Sequence, residues 1–235
     1  MPVVTISGPI GSAAREVGRA AAQQMQIDYV DQEILVEAAR ELGVPMESVV
    51  SHDERTAGMG ERLANMFRRF MERSATAGAG DPLWGTAGLD LVLSRTYGEA
   101  AGDEALPEVS DDRYIETLTA IVKGIAKQDN VLIIGRGSQV ILKDWPGALH
   151  VLLAAPLDRR VAFIVERDGM SQEDASKRIH EGDKGRVSFH QKFFKINVDD
   201  PAHYHVAINT GRYSIDEAAE LIAAAAQRVT AKAQA

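Results

Sequence analysis

A β-branched run, Val3–Ser7, leads into the small-residue turn Gly8-Pro-Ile-Gly11-Ser12-Ala13-Ala14 and then Arg15 and Glu16. A strand that turns through glycines into a helix can cradle phosphate, because backbone amides, the positive end of the helix and a cation converge there. The full template, G-x-x-x-x-G-K-[S/T], sets a lysine on the β- and γ-phosphates and a hydroxyl on Mg²⁺. Counted from Gly8, this chain has Ala13, Ala14 and Arg15 in the three closing positions. Arginine grips phosphate through two parallel N–H bonds, so Arg15 is chemically adequate where lysine is missing. The Cβ atoms of Ala13 and Ala14 narrow a turn that glycine would leave open. As a bare pattern the segment also suits an ordinary strand–turn–helix of an α/β protein.

A second candidate is Arg136, in Gly135-Arg136-Gly137 after the apolar run Val131–Ile134. A charge leaving the end of a buried strand is costly without a partner. A monophosphate or ribose would supply one, and so would a neighbouring carboxylate. The six histidines, at 52, 150, 180, 190, 203 and 205, lack H-x-x-x-H spacing. Only His203 and His205 are close, and core or surface histidines are the expectation for both. With no cysteine in the chain, disulfides, thiolate catalysis and cysteine-based zinc sites are excluded.

The elements that must position these residues alternate. Strands are expected at Val3–Ser7, Ile27–Val30, Asn130–Ile134, Leu149–Ala154 and His205–Asn209. Helices are expected at Ala13–Gln24, Gln32–Leu42, Met46–Ser51, Glu61–Ser74, Tyr114–Lys127 and Leu157–Arg167, from apolar residues at i, i+3, i+4 spacing. Ser171–Asp174 and Ser214–Glu217 read as capping boxes, the first for a helix ending near Glu181. Residues 75–112, rich in glycine, alanine and acid, read as a connector or lid-like insertion. This order implies an α/β fold with a mostly parallel sheet and helices on both faces. Ligands of such sheets gather at the carboxyl ends of the strands.

The chain has 235 residues, 45% hydrophobic and 26% charged, with a net charge of −8. One compact domain over 1–235 is the expectation. The acidic balance argues against nucleic acid or anionic membranes as partners, while leaving room for a local basic pocket. No apolar run reaches membrane-spanning length and no cleavable leader is evident, so a cytoplasmic location is expected.

Four separated stretches together resemble the cytidylate kinase-like family of P-loop nucleoside-monophosphate kinase relatives. They are Thr5–Ser7 with Gly11–Gly18, then Tyr29–Leu35, then Val131–Gly137, and finally Glu181–Arg186 followed by Asp200-Pro, Tyr204 and Ile208–Thr210. The resemblance implies a three-layer P-loop NTPase-like fold with a five-stranded sheet. It also implies a helical monophosphate-binding insertion at about 45–112 and a lid at about 170–200. ATP with Mg²⁺ and a nucleotide acceptor, CMP-like, would be the ligands. Gly8, Gly11, Ser12, Ala13, Ala14, Arg15 and Glu16 would then meet ATP, and Asp31 and Arg136 the acceptor. Arg178, Lys184 and Arg186 would lie on a helix–turn–helix lid around Gly182-Asp183 and converge, on closure, on the transferring phosphoryl group.

Each assignment has a simpler counterpart. Glu16 stands where the family has a Mg²⁺-binding threonine, and it also suits the first turn of any helix. Asp31 serves equally as the N-cap of the next helix. The lid cations could be a solvated helix face. Ala13 and Ala14 replace loop glycines, and Gly137 replaces an aspartate of the family pattern. Those departures suit a weak or silent nucleotide-binding relative. The direction of Arg15 is expected to discriminate: aimed into the loop it favours a kinase, turned away it favours the silent relative.

Overall fold

The computed structural model describes residues 2–31, 33–43 and 110–233. Five strands, β1 Val3–Ser7, β2 Asp28–Val30, β3 Val131–Ile134, β4 Ala148–Ala154 and β5 Val206–Asn209, form one sheet. Their order is β2-β3-β1-β4-β5 and every pairing is parallel, as the alternation of elements requires. Seven helices accompany them among the described residues: α1 Ala14–Met25, α2 Glu33–Leu42, α3 Asp111–Ala126, α4 Ser138–Ile141, α5 Leu157–Asp168, α6 Gln172–Phe194 and α7 Ile215–Ala233. A 3₁₀ turn spans Pro201–His203. The helices expected at 46–51 and 61–74, and nearly all of 75–112, lie outside the described residues.

Alternation along the strands divides the core in two. Val4 and Ile6 of β1, with Leu132, Ile134, Leu149 and Val151, pack under Val17 and Ala21 of α1 and Ala218 and Ile222 of α7. Val3, Val131 and Ile133 face the other way, onto α2, α3 and Phe189 of α6. Both faces are therefore covered, which is why β1, β3 and β4 are apolar runs.

The connection β1–α1–β2 passes over β3, while β3–α4–β4 passes over β1. The sheet thus has its switch point between β1 and β3, where the two following loops diverge and leave a crevice. The loop beginning at Gly8 and the Gly135–Gly137 turn meet there, stitched by the Gly135 amide donating to the Ile6 carbonyl at 2.9 Å.

Two local expectations need correction. The helix expected to end near Glu181 runs on unbroken to Phe194, so Gly182 and Asp183 lie inside α6 and form no turn. Gly182 is there for space: a Cβ on it would sit 2.1 Å from the Ile10 Cδ1 atom. Close packing outweighs the roughly 1 kcal/mol that glycine costs within a helix. The other correction is at α3, which starts three residues early because the Ser110 hydroxyl accepts from the Arg113 amide and Asp111 and Asp112 follow it. The box at Ser214–Glu217 is complete, each residue's side chain accepting from the other's amide. Among the described residues no helix is long and apolar enough to cross a membrane.

Candidate functional site

The loop between β1 and α1 is tight at its base and clasped at its tip. A Cβ on Gly8 would lie 2.5 Å from the Ser12 hydroxyl and 2.9 Å from the Leu153 carbonyl, so only glycine fits. The Ser12 amide closes the turn onto the Pro9 carbonyl at 3.1 Å. Ala13 takes a left-handed conformation, φ 56°, at the start of α1 and supplies no side-chain cap. The first amides of α1 therefore open the helix without a capping side chain. The Ala13 and Ala14 methyl groups pack against the core beneath.

At the opposite side of the crevice three elements bring charge together. Asp31 follows β2, Arg136 follows β3, and Arg15 lies in the first turn of α1. Arg136 Nη1 donates to Asp31 Oδ1 at 2.8 Å, and Arg15 Nε pairs with Asp31 Oδ2 at 2.7 Å. One carboxylate thus bridges two guanidiniums at the switch point. Asp31 is a counter-charge for Arg136, whose side chain is 0% exposed. Of the two partners weighed for Arg136, a phosphate or ribose and a carboxylate, the carboxylate is present as Asp31. Arg15 directs its Nε to Asp31.

The turn that carries Arg136 is unusual. Gly135, Arg136 and Gly137 are all left-handed, at φ 69°, 55° and 68°. Such a run needs small flanking residues and a held central one. Phe194, at the end of α6, covers Gly137 so closely that a Cβ there would be 2.2 Å from its ring. Just beyond, Gln139 Nε2 lies 3.0 Å from His190 Nε2, while His190 Nδ1 lies 2.8 Å from the Arg186 carbonyl. Donation from Nδ1 to that carbonyl leaves Nε2 to accept from the Gln139 amide. α4 and α6 are thereby fastened together behind the turn.

α6 supplies the remaining cations unequally. Arg186 is buried, with Nη1 3.5 Å from the Ser7 hydroxyl at the end of β1 and an ion pair to Asp199. Lys184 is exposed on the same helix. Arg178 pairs with Asp168, and the adjoining Arg167 guanidinium, with Arg178 after it, lowers the Asp168 pKa to about 2. Arg167 also takes Glu16 Oε1 at 3.1 Å. Of the three expected lid cations, the fold brings only Arg186 to the sheet edge, and it does so through an unbroken helix.

The sequence reading missed Arg160 and Asp183. Arg160, on α5, donates from Nη1 to the Ile10 carbonyl at 3.1 Å and to Asp183 Oδ2 at 2.7 Å. Asp183 Oδ1 accepts from the Ile10 amide at 3.2 Å. Arg160 could have been suspected, because α5 begins at the carboxyl end of β4; a contact to backbone leaves no such trace for Asp183.

Among the described residues no three His, Cys, Asp or Glu side chains gather as a metal cage. Mg²⁺ does not need one, since it takes most of its ligands from phosphate and water. The Ser12 hydroxyl and Glu16 Oε2 are buried oxygens without a hydrogen-bond partner, and they fit one or two places on such an ion. His205 accepts from the His150 amide through Nδ1 at 2.9 Å, which accounts for it without a metal.

The profile of the cytidylate kinase-like family matches residues 3–212. A cytidylate kinase from Methanoregula boonei is 28% identical over 168 residues, covering 63% of this chain and 91% of its own. One from Methanosphaerula palustris is 27% identical over 132 residues, covering 55% and 68%. In three dimensions an uncharacterized protein from Eubacterium ventriosum matches with a TM-score of 0.61 at 15% identity, over 97% of this chain and 99% of that one. A gluconokinase from Sinorhizobium meliloti matches at a TM-score of 0.51 and 15% identity, over 98% and 94%. The two structures share the fold. With its glycine-bounded loop at the switch point and a match over nearly its whole length, the chain belongs to the cytidylate kinase-like family.

Proposed function

We propose that this protein transfers the γ-phosphoryl group of ATP to a nucleoside monophosphate, with CMP the favoured acceptor. The observation that carries this reading is the meeting, at the switch point, of the Gly8–Ala13 loop with the doubly paired Asp31. Relatives named as cytidylate kinases support the acceptor.

Loop amides and the uncapped start of α1 would hold the triphosphate. Arg15 contributes its charge beside them, oriented by Asp31. Arg136 is buried beneath the acceptor side, where it fixes Asp31 and adds to the local positive potential. Arg186, beside Ser7, would face the charge that grows on the moving phosphoryl group. Ser12 and Glu16 would hold Mg²⁺ arriving with ATP, and the ion would neutralise charge between the phosphates. Lys184 and Arg178 lie nearer the start of α6 and would act only from the rim. No protein nucleophile is required, because positioning and electrostatics carry most of this chemistry.

A second reading, a nucleotide-binding relative without turnover, is favoured by one contact: the Arg15 Nε is engaged by Asp31. The two separate on coupled ADP release from ATP and Mg²⁺ with CMP, dCMP, UMP or AMP as acceptor. Turnover with one acceptor, lost in Arg15→Ala and Arg136→Ala, supports the kinase. Binding of ATP without acceptor-stimulated ADP release supports the silent relative.

A further inference from the structure

The tip of the phosphate loop is held by a device that the loop pattern does not contain. Both polar groups flanking Ile10 are taken by side chains of other helices: its amide by Asp183 of α6 and its carbonyl by Arg160 of α5. The two side chains are themselves paired at 2.7 Å. The Ile10 side chain packs with Ile164 of α5 and Ile179 of α6, over the space left by Gly182. Gly11 follows at φ 82°, and a Cβ there would lie 2.8 Å from both the carbonyl oxygen and the Cβ of Arg160. Four contacts of different kinds thus meet on two consecutive loop residues.

We infer that Arg160 and Asp183 are positioning residues whose ion pair clasps the Ile10 backbone and makes docking of α6 and formation of the loop's anion site a single event. This rests on the reading of the loop as an ATP phosphate site and names how that site is regulated. Backbone amides bind phosphate only when they are already aimed at it; a loop free at its tip would lose that aim to conformational entropy. The clasp fixes the tip without using the amides that follow it. Both side chains are only partly exposed, 12% for Arg160 and 29% for Asp183, so water does not fully screen the pair. Arg186 lies one turn further along α6, so the contact that sets the loop also brings Arg186 to Ser7. By reciprocity, nucleotide that prefers the clasped loop stabilises the docked helix by the same factor.

The test is a double-mutant cycle on the full chain: Arg160→Ala, Asp183→Asn and both together. It is read by calorimetric titration with ATP·Mg²⁺ and by amide hydrogen exchange of residues 8–13. Gly182→Ala attacks the same contact sterically and guards against a misfolded charge variant; each variant is first matched to the parent by circular dichroism. Each single change is expected to weaken ATP binding about tenfold and to raise exchange across the loop. The double variant should be no worse than the weaker single one, because both remove one clasp. Additive losses, or affinities within twofold of the parent with unchanged exchange, overturn the clasp. Should the parent bind no ATP, the kinase reading falls while loop exchange in Asp183→Asn still decides whether the clasp exists.

Discussion

Arg136 and Asp31, 105 residues apart in sequence, form a buried ion pair at 2.8 Å across the carboxyl ends of β3 and β2. The same carboxylate reaches Arg15 at 2.7 Å, so one acid holds two cations from two different loops. A wholly buried guanidinium is tolerable only while its counter-charge remains. Asp31 accordingly has a structural role beside any ligand contact.

Asp31→Ala is expected to cost about 1–3 kcal/mol, because it removes the acceptor that Arg136 and Arg15 share. Arg136→Met should cost distinctly less, since Asp31 keeps Arg15. Urea denaturation of the two variants against the parent checks the order. Equal losses would mean that the pair is not what holds the turn.

Gly137→Asp would restore the residue of the family pattern and should nonetheless destabilise this protein by about 2 kcal/mol, from a strained left-handed backbone and a displaced neighbour. The neighbour is Phe194, whose ring lies 2.2 Å from where the new Cβ would be. Adding Phe194→Leu should recover part of the loss, and thermal melts of the single and double variants measure it. No recovery would point to the backbone conformation alone.

These two sites show what the sequence could and could not disclose. β1, β3 and β4 were legible because a parallel strand buried on both faces must be an unbroken apolar run. The sheet-edge location of Arg136 followed from the strand before it, as did its need for a partner. That the partner is Asp31 depends on the strand order, which no local pattern encodes. Gly182 misled because glycine inside a helix looks the same whether it ends the helix or admits a neighbour. Ile10, which needs that space, lies 172 positions earlier. The Ser110 cap was readable, since serine followed by two aspartates is a helix start. The clasp at Ile10 was not, since a bond to backbone imposes no residue type on the loop.

Stability should fall on mild acidification, through His150. The Thr5 hydroxyl donates to its Nδ1 at 2.8 Å and its Nε2 faces the Leu142 carbonyl at 3.2 Å, a neutral ring in a buried site. Burial first, and the neighbouring His205 second, lower its pKa from 6.5 to about 4. A depressed folded pKa means that the unfolded chain takes up the proton first. The contribution is therefore complete above pH 6.5 and is lost as pH falls toward 4. By pH 5 the loss should approach about 2 kcal/mol. His150→Gln should flatten the slope of denaturation free energy against pH between 5 and 7. An unchanged slope would assign the acid sensitivity elsewhere.

Arg186→Ala tests whether α6 supplies catalytic charge. Its guanidinium is delivered to the Ser7 hydroxyl at the loop's base, whereas Lys184 is exposed and Arg178 is engaged with Asp168. A cation that meets only the charge developing in transfer lowers kcat and leaves nucleotide KM nearly unchanged. Arg186→Ala should therefore reduce kcat about 10²- to 10³-fold, the range for removing one preorganised stabiliser. Lys184→Ala should reduce it by less than about fivefold, and Arg178→Ala should barely register, as expected for charges screened at the rim. Steady-state kinetics with ATP and CMP varied separately give both constants. A rise in ATP KM with kcat preserved would instead make Arg186 a ground-state phosphate contact, and a large effect at Lys184 would mean that α6 docks more deeply during turnover than it does here.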